Sequence, residues 1–172
     1  SSDWTLNSIT GVGGGVTNAG TEADVTLNWW GSNNEATIAA RQSGLVNFDF
    51  WLNDAGQLTT LDNIWTNGMN PAGLQGAFDQ IDNTVANGGT LHVTAGTYTD
   101  EFTISDKSMT VLIEETVTLQ DGSGTILTID TGVNPDVDTV TIIGDGNLTI
   151  DGLGTARGVK LGTDTLTQLE GA

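Results

Sequence analysis

From Thr90 onward the chain repeats one short pattern, an apolar, polar, apolar run closed by a turn rich in Gly, Asp or Asn. Leu91-His92-Val93, Phe102-Thr103-Ile104, Met109 to Ile113, Val117-Thr118-Leu119, Ile126 to Ile129, Val140-Thr141-Ile142 and Leu148-Thr149-Ile150 all carry it. Alternation of this kind marks a β-strand with one face buried. The turns between, Asp121-Gly122-Ser123-Gly124, Gly144-Asp145-Gly146-Asn147 and Asp151-Gly152, use residues that tolerate positive φ. Matching apolar positions recur at roughly 22 residues, within the range of solenoid repeats. That spacing sets Ile104 against Ile126 and Leu148, and Val117 against Val140. The expected architecture is all-β, a stack of parallel strands in which each layer adds about 4.8 Å.

One helix is expected, over residues 72–87. Leu74, Ala77, Phe78, Ile81 and Val85 share a face at three- and four-residue spacing, and Asn87-Gly88-Gly89 stops it. Such a helix can cover the open end of a strand stack, with Leu74, Phe78 and Ile81 as its cap residues. Residues 1–52 read as further short strands. Trp4 to Ile9 and Ala23 to Leu27 alternate, Gly13-Gly14-Gly15 turns the chain, residues 36–41 are a short extended or helical piece, and Leu45 to Phe50 alternates again. Residues 53–71 hold the breakers Asn67-Gly68 and Asn70-Pro71, together with Leu58, Leu61, Ile64 and Trp65, so they read as a connection that packs on something.

Two blocks resemble extracellular right-handed parallel β-helix repeat proteins, the pectin-lyase-like architecture of bacterial surface proteins and adhesins. Asn28-Trp29-Trp30-Gly31-Ser32-Asn33-Asn34 with Phe48-Asp49-Phe50-Trp51-Leu52 resembles the last coil of such a solenoid. Ala77 to Ile81, and Gly88-Gly89-Thr90 through Ala95-Gly96-Thr97-Tyr98, resemble the cap helix and first coil. The closing block therefore precedes the opening one. The resemblance implies a right-handed β-helix in two pieces with one short capping helix. Residues 1–52 are its closing coils, 53–71 the connection, and 72–172 the cap helix and opening coils. Trp29, Trp30, Phe48, Phe50 and Trp51 close the first piece. The resemblance also implies an extracellular or cell-surface location.

Solenoid layers stand by stacking on neighbours, and an uncapped end exposes strand edge and core. No cap is legible near Ser1 or Ala172, and residues 161–169 alternate like a strand in progress. Trp4, Leu6 and Ile9 at one end and Leu161, Leu166 and Leu169 at the other are the expected assembly interface between copies. Such a contact is head-to-tail and propagates into a filament, or into a tandem array if the copies are covalent. The chain begins at Ser1 rather than Met, as a processed or excised unit does.

Composition narrows the partners. Asp and Glu number 22 against four Lys and Arg, for a net charge of -18. Nucleic acid and anionic membrane surfaces need basic stripes and are excluded as partners. No apolar run has the length of a membrane span, and the absence of cysteine rules out disulfides and thiolate metal sites.

Catalysis is not expected. Glu114-Glu115, Asp136 with Asp138, and Asp145 are carboxylates that glycosidase chemistry would need, but chance pairs are common in so acidic a chain. Pectate lyases place a basic residue beside acid-held calcium, and here Arg41, Lys107, Arg157 and Lys160 form no such motif. His92, the single histidine, alternates away from Leu91 and Val93 and reads as an outward-facing bystander, so no triad is supported. No cofactor is expected. Asp136 and Asp138 are the candidates for calcium, the one ion in view. Trp29, Trp30, Trp51 and Trp65 offer rings for sugar stacking, which makes a carbohydrate-binding or polysaccharide-degrading protein the second functional reading, with glycans as partners.

Overall fold

The computed structural model describes residues 4–10, 15–58, 61–69, 73–81, 88–99, 101–105, 107–121, 126–130, 140–144, 146–152, 159–161 and 168–169. Short strands dominate, and the class is all-β.

After residue 88 the strands recur in groups of three. β5 (Gly89–Val93), β6 (Gly96–Thr99) and β7 (Phe102–Ser105) are followed by β8 (Met109–Ile113), β9 (Thr116–Asp121) and β10 (Leu127–Asp130). Then come β11 (Val140–Ile143), β12 (Asn147–Gly152), β13 (Val159–Leu161) and β14 (Gln168–Leu169). Every third strand pairs in parallel, which gives the sheets β5-β8-β11-β14, β6-β9-β12 and β7-β10-β13. The alternation explains the burial. Leu91, Val111 and Ile142 lie side by side in register and are buried, while their neighbours Thr90, Thr110 and Thr141 are half-buried.

The register differs from that expected at constant spacing. Ile104 lies opposite Ile129, not Ile126, and Val117 opposite Leu148, not Val140. Val140 instead pairs with Met109. The layers are of unequal length: Leu91 to Val111 is a step of 20 residues, Val111 to Ile142 a step of 31. Apolar alternation repeats every second residue, so it cannot choose between Val140 and Leu148, an even shift apart, and the adjacent apolar pair Ile126-Leu127 interrupts it before Ile129. Glycine marks where layers touch. At Gly88 (φ 72°) and Gly144 (φ 141°) a Cβ would stand 1.7 Å from the Ser108 carbonyl oxygen and 1.8 Å from that of Ile113.

The helix is shorter than its apolar pattern. α2 spans Leu74–Gln80, and Ile81 has already left helical geometry at ψ 131°. Residues 82–87, with Val85, lie outside the described residues. Leu74, Ala77, Phe78 and Ile81 are buried in the main core, and Phe78 meets Phe102 edge to face at 6.4 Å. Lys107 Nζ donates to the carbonyls of Phe78 (2.7 Å) and Asp79 (3.0 Å), satisfying the end of the helix.

The first third has its own organisation. β1 (Val16–Asp24) pairs in parallel with β2 (Gln42–Asn47), and α1 (Glu35–Ala39) lies between them in sequence. β3 (Phe50–Leu52) pairs antiparallel with β4 (Asn63–Thr66), which pairs in parallel with β5. One sheet therefore runs β3-β4-β5-β8-β11-β14, and β4 puts part of the connecting stretch inside it.

Alternation across this sheet separates two cores. Leu52, Ile64, Leu91 and Val111 belong to the main core with α2. Trp51 faces the other way, into a second core with Val16, Val25, Trp30 and Ile38, against which Trp65 packs. Wherever a strand is covered on both faces, simple in–out alternation no longer distinguishes buried from exposed.

Candidate functional site

Two places carry chemistry beyond the core. The first is the outermost layer of the described residues, Trp4 to Ile9. It lies parallel to 24–29, with Trp4 N–H donating to Asp24 O (3.0 Å), Leu6 N–H to Leu27 O (3.0 Å) and Ile9 N–H to Trp29 O (2.7 Å). Trp29 N–H returns a bond to Asn7 O at 2.8 Å, around a parallel bridge between Ser8 and Trp29. The next layer repeats the arrangement: Val25 N–H donates to Asn47 O (2.9 Å) and Leu52 N–H to Asn28 O (3.1 Å).

Asn28 clasps the two layers. It is fully buried; its Oδ1 accepts the Asn7 N–H at 2.7 Å, and its Nδ2 donates to the carbonyls of Trp4 and of Val25, the latter at 2.7 Å. The corner that aims it requires Leu27 at φ 54°, and Leu6 in the layer outside has φ 57°. Leucine rarely adopts that region, and it does so here where its neighbour's amide closes a local ring of hydrogen bonds. Asn28 opens the Asn-Trp-Trp-Gly block drawn from the sequence, but its clasping role does not follow from that motif. The signal of that role is the recurrence of Thr5-Leu6-Asn7 as Thr26-Leu27-Asn28.

The expected interface residues fall as follows. Trp4 (56% exposed) and Leu6 (43%) stand open to solvent, while Ile9 is half-buried against the second core. A groove runs beside them to Gly15 and Val16. At the other end Leu161 and Leu169 lie in β13 and β14, with their side chains outside the described residues, as is the whole of Leu166. The expected closure residues are divided between the cores: Trp30 and Trp51 lie in the second with Phe48 against it, while Trp29 and Phe50 pack on the first.

The second place is a cleft of about 520 Å³ between α1 and the outer face of β4, β5 and β8. His92 does not project freely there. It lies on the outer face, stacked on Trp65 with centroids 4.2 Å apart and planes 7° from parallel. Its Nε2 meets Asn63 Oδ1 at 2.7 Å, and Nδ1 is 3.9 Å from Glu114 Oε2, beyond hydrogen-bond reach. Burial holds the imidazole below its ordinary pKa, against the opposing pull of Glu114. The other two carboxylates hold backbone: Glu35 Oε1 accepts from Gly68 N–H (3.0 Å) and Glu115 Oε2 from Ala95 N–H (3.1 Å). The Thr94 hydroxyl, the one hydroxyl on the cleft wall, is engaged by Thr66 and Gly68. Glu114 and Glu115 thus serve an imidazole and a backbone corner.

Of the sugar-stacking candidates, Trp30 and Trp51 are fully buried, Trp29 packs on the core, and Trp65 has His92 on one face. Arg41 donates to the Trp30 carbonyl, and Lys107 to the end of α2. Asp136, Asp138, Asp145 and Arg157 lie outside the described residues, and Lys160 is placed only as backbone in β13. Among the described residues no group of His, Cys, Asp and Glu gathers as metal ligands, and no helix is long and apolar enough to cross a membrane. Comparison with protein-family models, with curated proteins and with solved structures finds no match for this chain.

Proposed function

We propose that this chain is a structural unit, a right-handed parallel β-helix in two pieces, that stacks end to end with further copies of itself in an extracellular fibre or surface array. The observation that carries this reading is the outermost layer. Residues 4–9 form hydrogen bonds on one side to residues 24–29, and Trp4 and Leu6 stand exposed on the same layer. Exposed apolar side chains on a strand edge are a template for another strand. The strands grouped in threes, each paired in parallel with the third one on, support the β-helix reading. Among the described residues β14 is the last strand on the other side of the long sheet, and in this reading it supplies the complementary edge.

Sedimentation velocity over a range of concentrations tests the proposal. Mass-dependent growth into elongated species is expected, visible as fibres in negative stain. Leu6→Lys, which puts a charge on the exposed edge, is expected to leave the circular dichroism unchanged and to abolish that growth. A monomer that persists up to millimolar concentration would sink the proposal.

A further inference from the structure

Resting on the stacking reading, we infer that Asn7 is the docking residue of the outer layer, and that its partner is the β14 strand layer of a second copy of this chain. The inference comes from a repeat inside the molecule. Thr5-Leu6-Asn7 and Thr26-Leu27-Asn28 are the same three residues, with Leu6 and Leu27 at nearly the same positive φ, 57° and 54°. In both, the amide nitrogen turns back to the carbonyl two residues before: Asn7 Nδ2 to Thr5 O at 2.8 Å, Asn28 Nδ2 to Thr26 O at 3.3 Å. The two side chains are set in one local geometry.

They differ in what lies outside them. Asn28 Oδ1 accepts a backbone N–H of the next layer, that of Asn7, and its Nδ2 reaches the Trp4 carbonyl of that layer. Asn7 Oδ1 takes no hydrogen bond among the described residues, and Asn7 is exposed where Asn28 is buried. Asn7 therefore presents to an incoming strand the same acceptor and donor that Asn28 presents to the layer already bound. The geometry calls for a parallel strand, since Ser8 and Trp29 bridge in parallel.

The second copy supplies such a strand at its opposite end. β14 extends a wall whose strands from β4 onward are all parallel, and among the described residues it has a partner on one side, β11. Thr165-Leu166 before it repeats the Thr5-Leu6 start. Because β3 and β4 run antiparallel, the two ends of one wall run in opposite senses. A copy that docks in parallel is therefore turned by roughly half a turn about the stack.

The test uses the full chain. Sedimentation should show Asn7→Ala associating about tenfold more weakly than the parent, the loss expected for unpaired interface hydrogen bonds. Its melting temperature as a monomer should fall only slightly, because the backbone bonds of Asn7 to Asn28 and Trp29 are kept and the one side-chain bond lost among the described residues is the exposed one to Thr5 O. Asn7→Asp keeps the acceptor and drops the donor, and is expected to fall between the two. The chain has no cysteine, so Ser8→Cys and Gln168→Cys chains can be mixed and oxidised. A mixed disulfide is expected. Unaltered association of Asn7→Ala overturns the role of Asn7 while the stacking reading stands. Disulfides only between Ser8→Cys chains overturn β14 as the partner, because the ends then meet head to head. A parent chain that does not associate overturns both.

Discussion

At the scale of single residues, burial of polar groups sets the behaviour. His92 is held neutral by desolvation, with its folded pKa below the ordinary 6.5. The unfolded chain takes up its proton first as pH falls. The stability tied to the neutral ring is thus complete above about pH 6.5 and is lost between there and the folded pKa. Urea unfolding at stepped pH is expected to show this loss as pH falls below 6.5, and His92→Asn to remove it. The single histidine also gives one imidazole resonance to follow by NMR. Asn28→Ala strands the Asn7 N–H and the Trp4 carbonyl, and is expected to cost about 2–3 kcal/mol in chemical denaturation. Alternation placed His92 on the face opposite Leu91. It could not show that Trp65 would stack beside His92 on that face, because Trp65 comes from β4, a strand no local pattern ties to β5.

At the scale of elements, ends and registers were harder to read than existence. The strands after residue 90 and the apolar face of α2 follow from period alone. Where α2 stops depends on Lys107, which comes from a loop 28 residues after Asp79 and fills the carbonyls of the last turn. Lys107→Met keeps the stem that covers the core and removes the donor. It is expected to lower stability by about 1 kcal/mol in thermal unfolding, while Phe78 stays buried. The pairing of Ile104 with Ile129 was hidden for a different reason. The layers differ in length, and apolar–Thr–apolar runs match one another in several registers.

At the scale of the whole molecule, the order of the blocks was legible and their joint was not. The Trp29-Trp30 block precedes the cap helix in the sequence, and the antiparallel contact that joins them pairs Phe50 to Leu52 with Ile64 to Thr66, extended by Asn53 N–H to Asn63 O and Asn67 N–H to Asp49 O. Nothing in either segment announces a partner. If copies stack as proposed, the net charge of -18 sets the conditions for it. Like-charged units repel across a Debye length of about 30 Å at 0.01 M salt and about 8 Å at 0.15 M. Raising sodium chloride over that range is expected to strengthen stacking in sedimentation, and stacking that weakens with salt would show that charge pairs rather than strand edges hold the copies. The joint between β3 and β4 has a mechanical consequence. Among the described residues three sheets pair each strand from β5 to β10 with the third one on, whereas one sheet crosses from β3 to β4. Its hydrogen bonds lie along the direction of stacking, so a pull on the ends loads them directly and with the fewest parallel bonds to share the force. If copies stack as proposed, that crossing is expected to bend before the layers after β5 do, while the chain through residues 53–62 keeps its two sides joined.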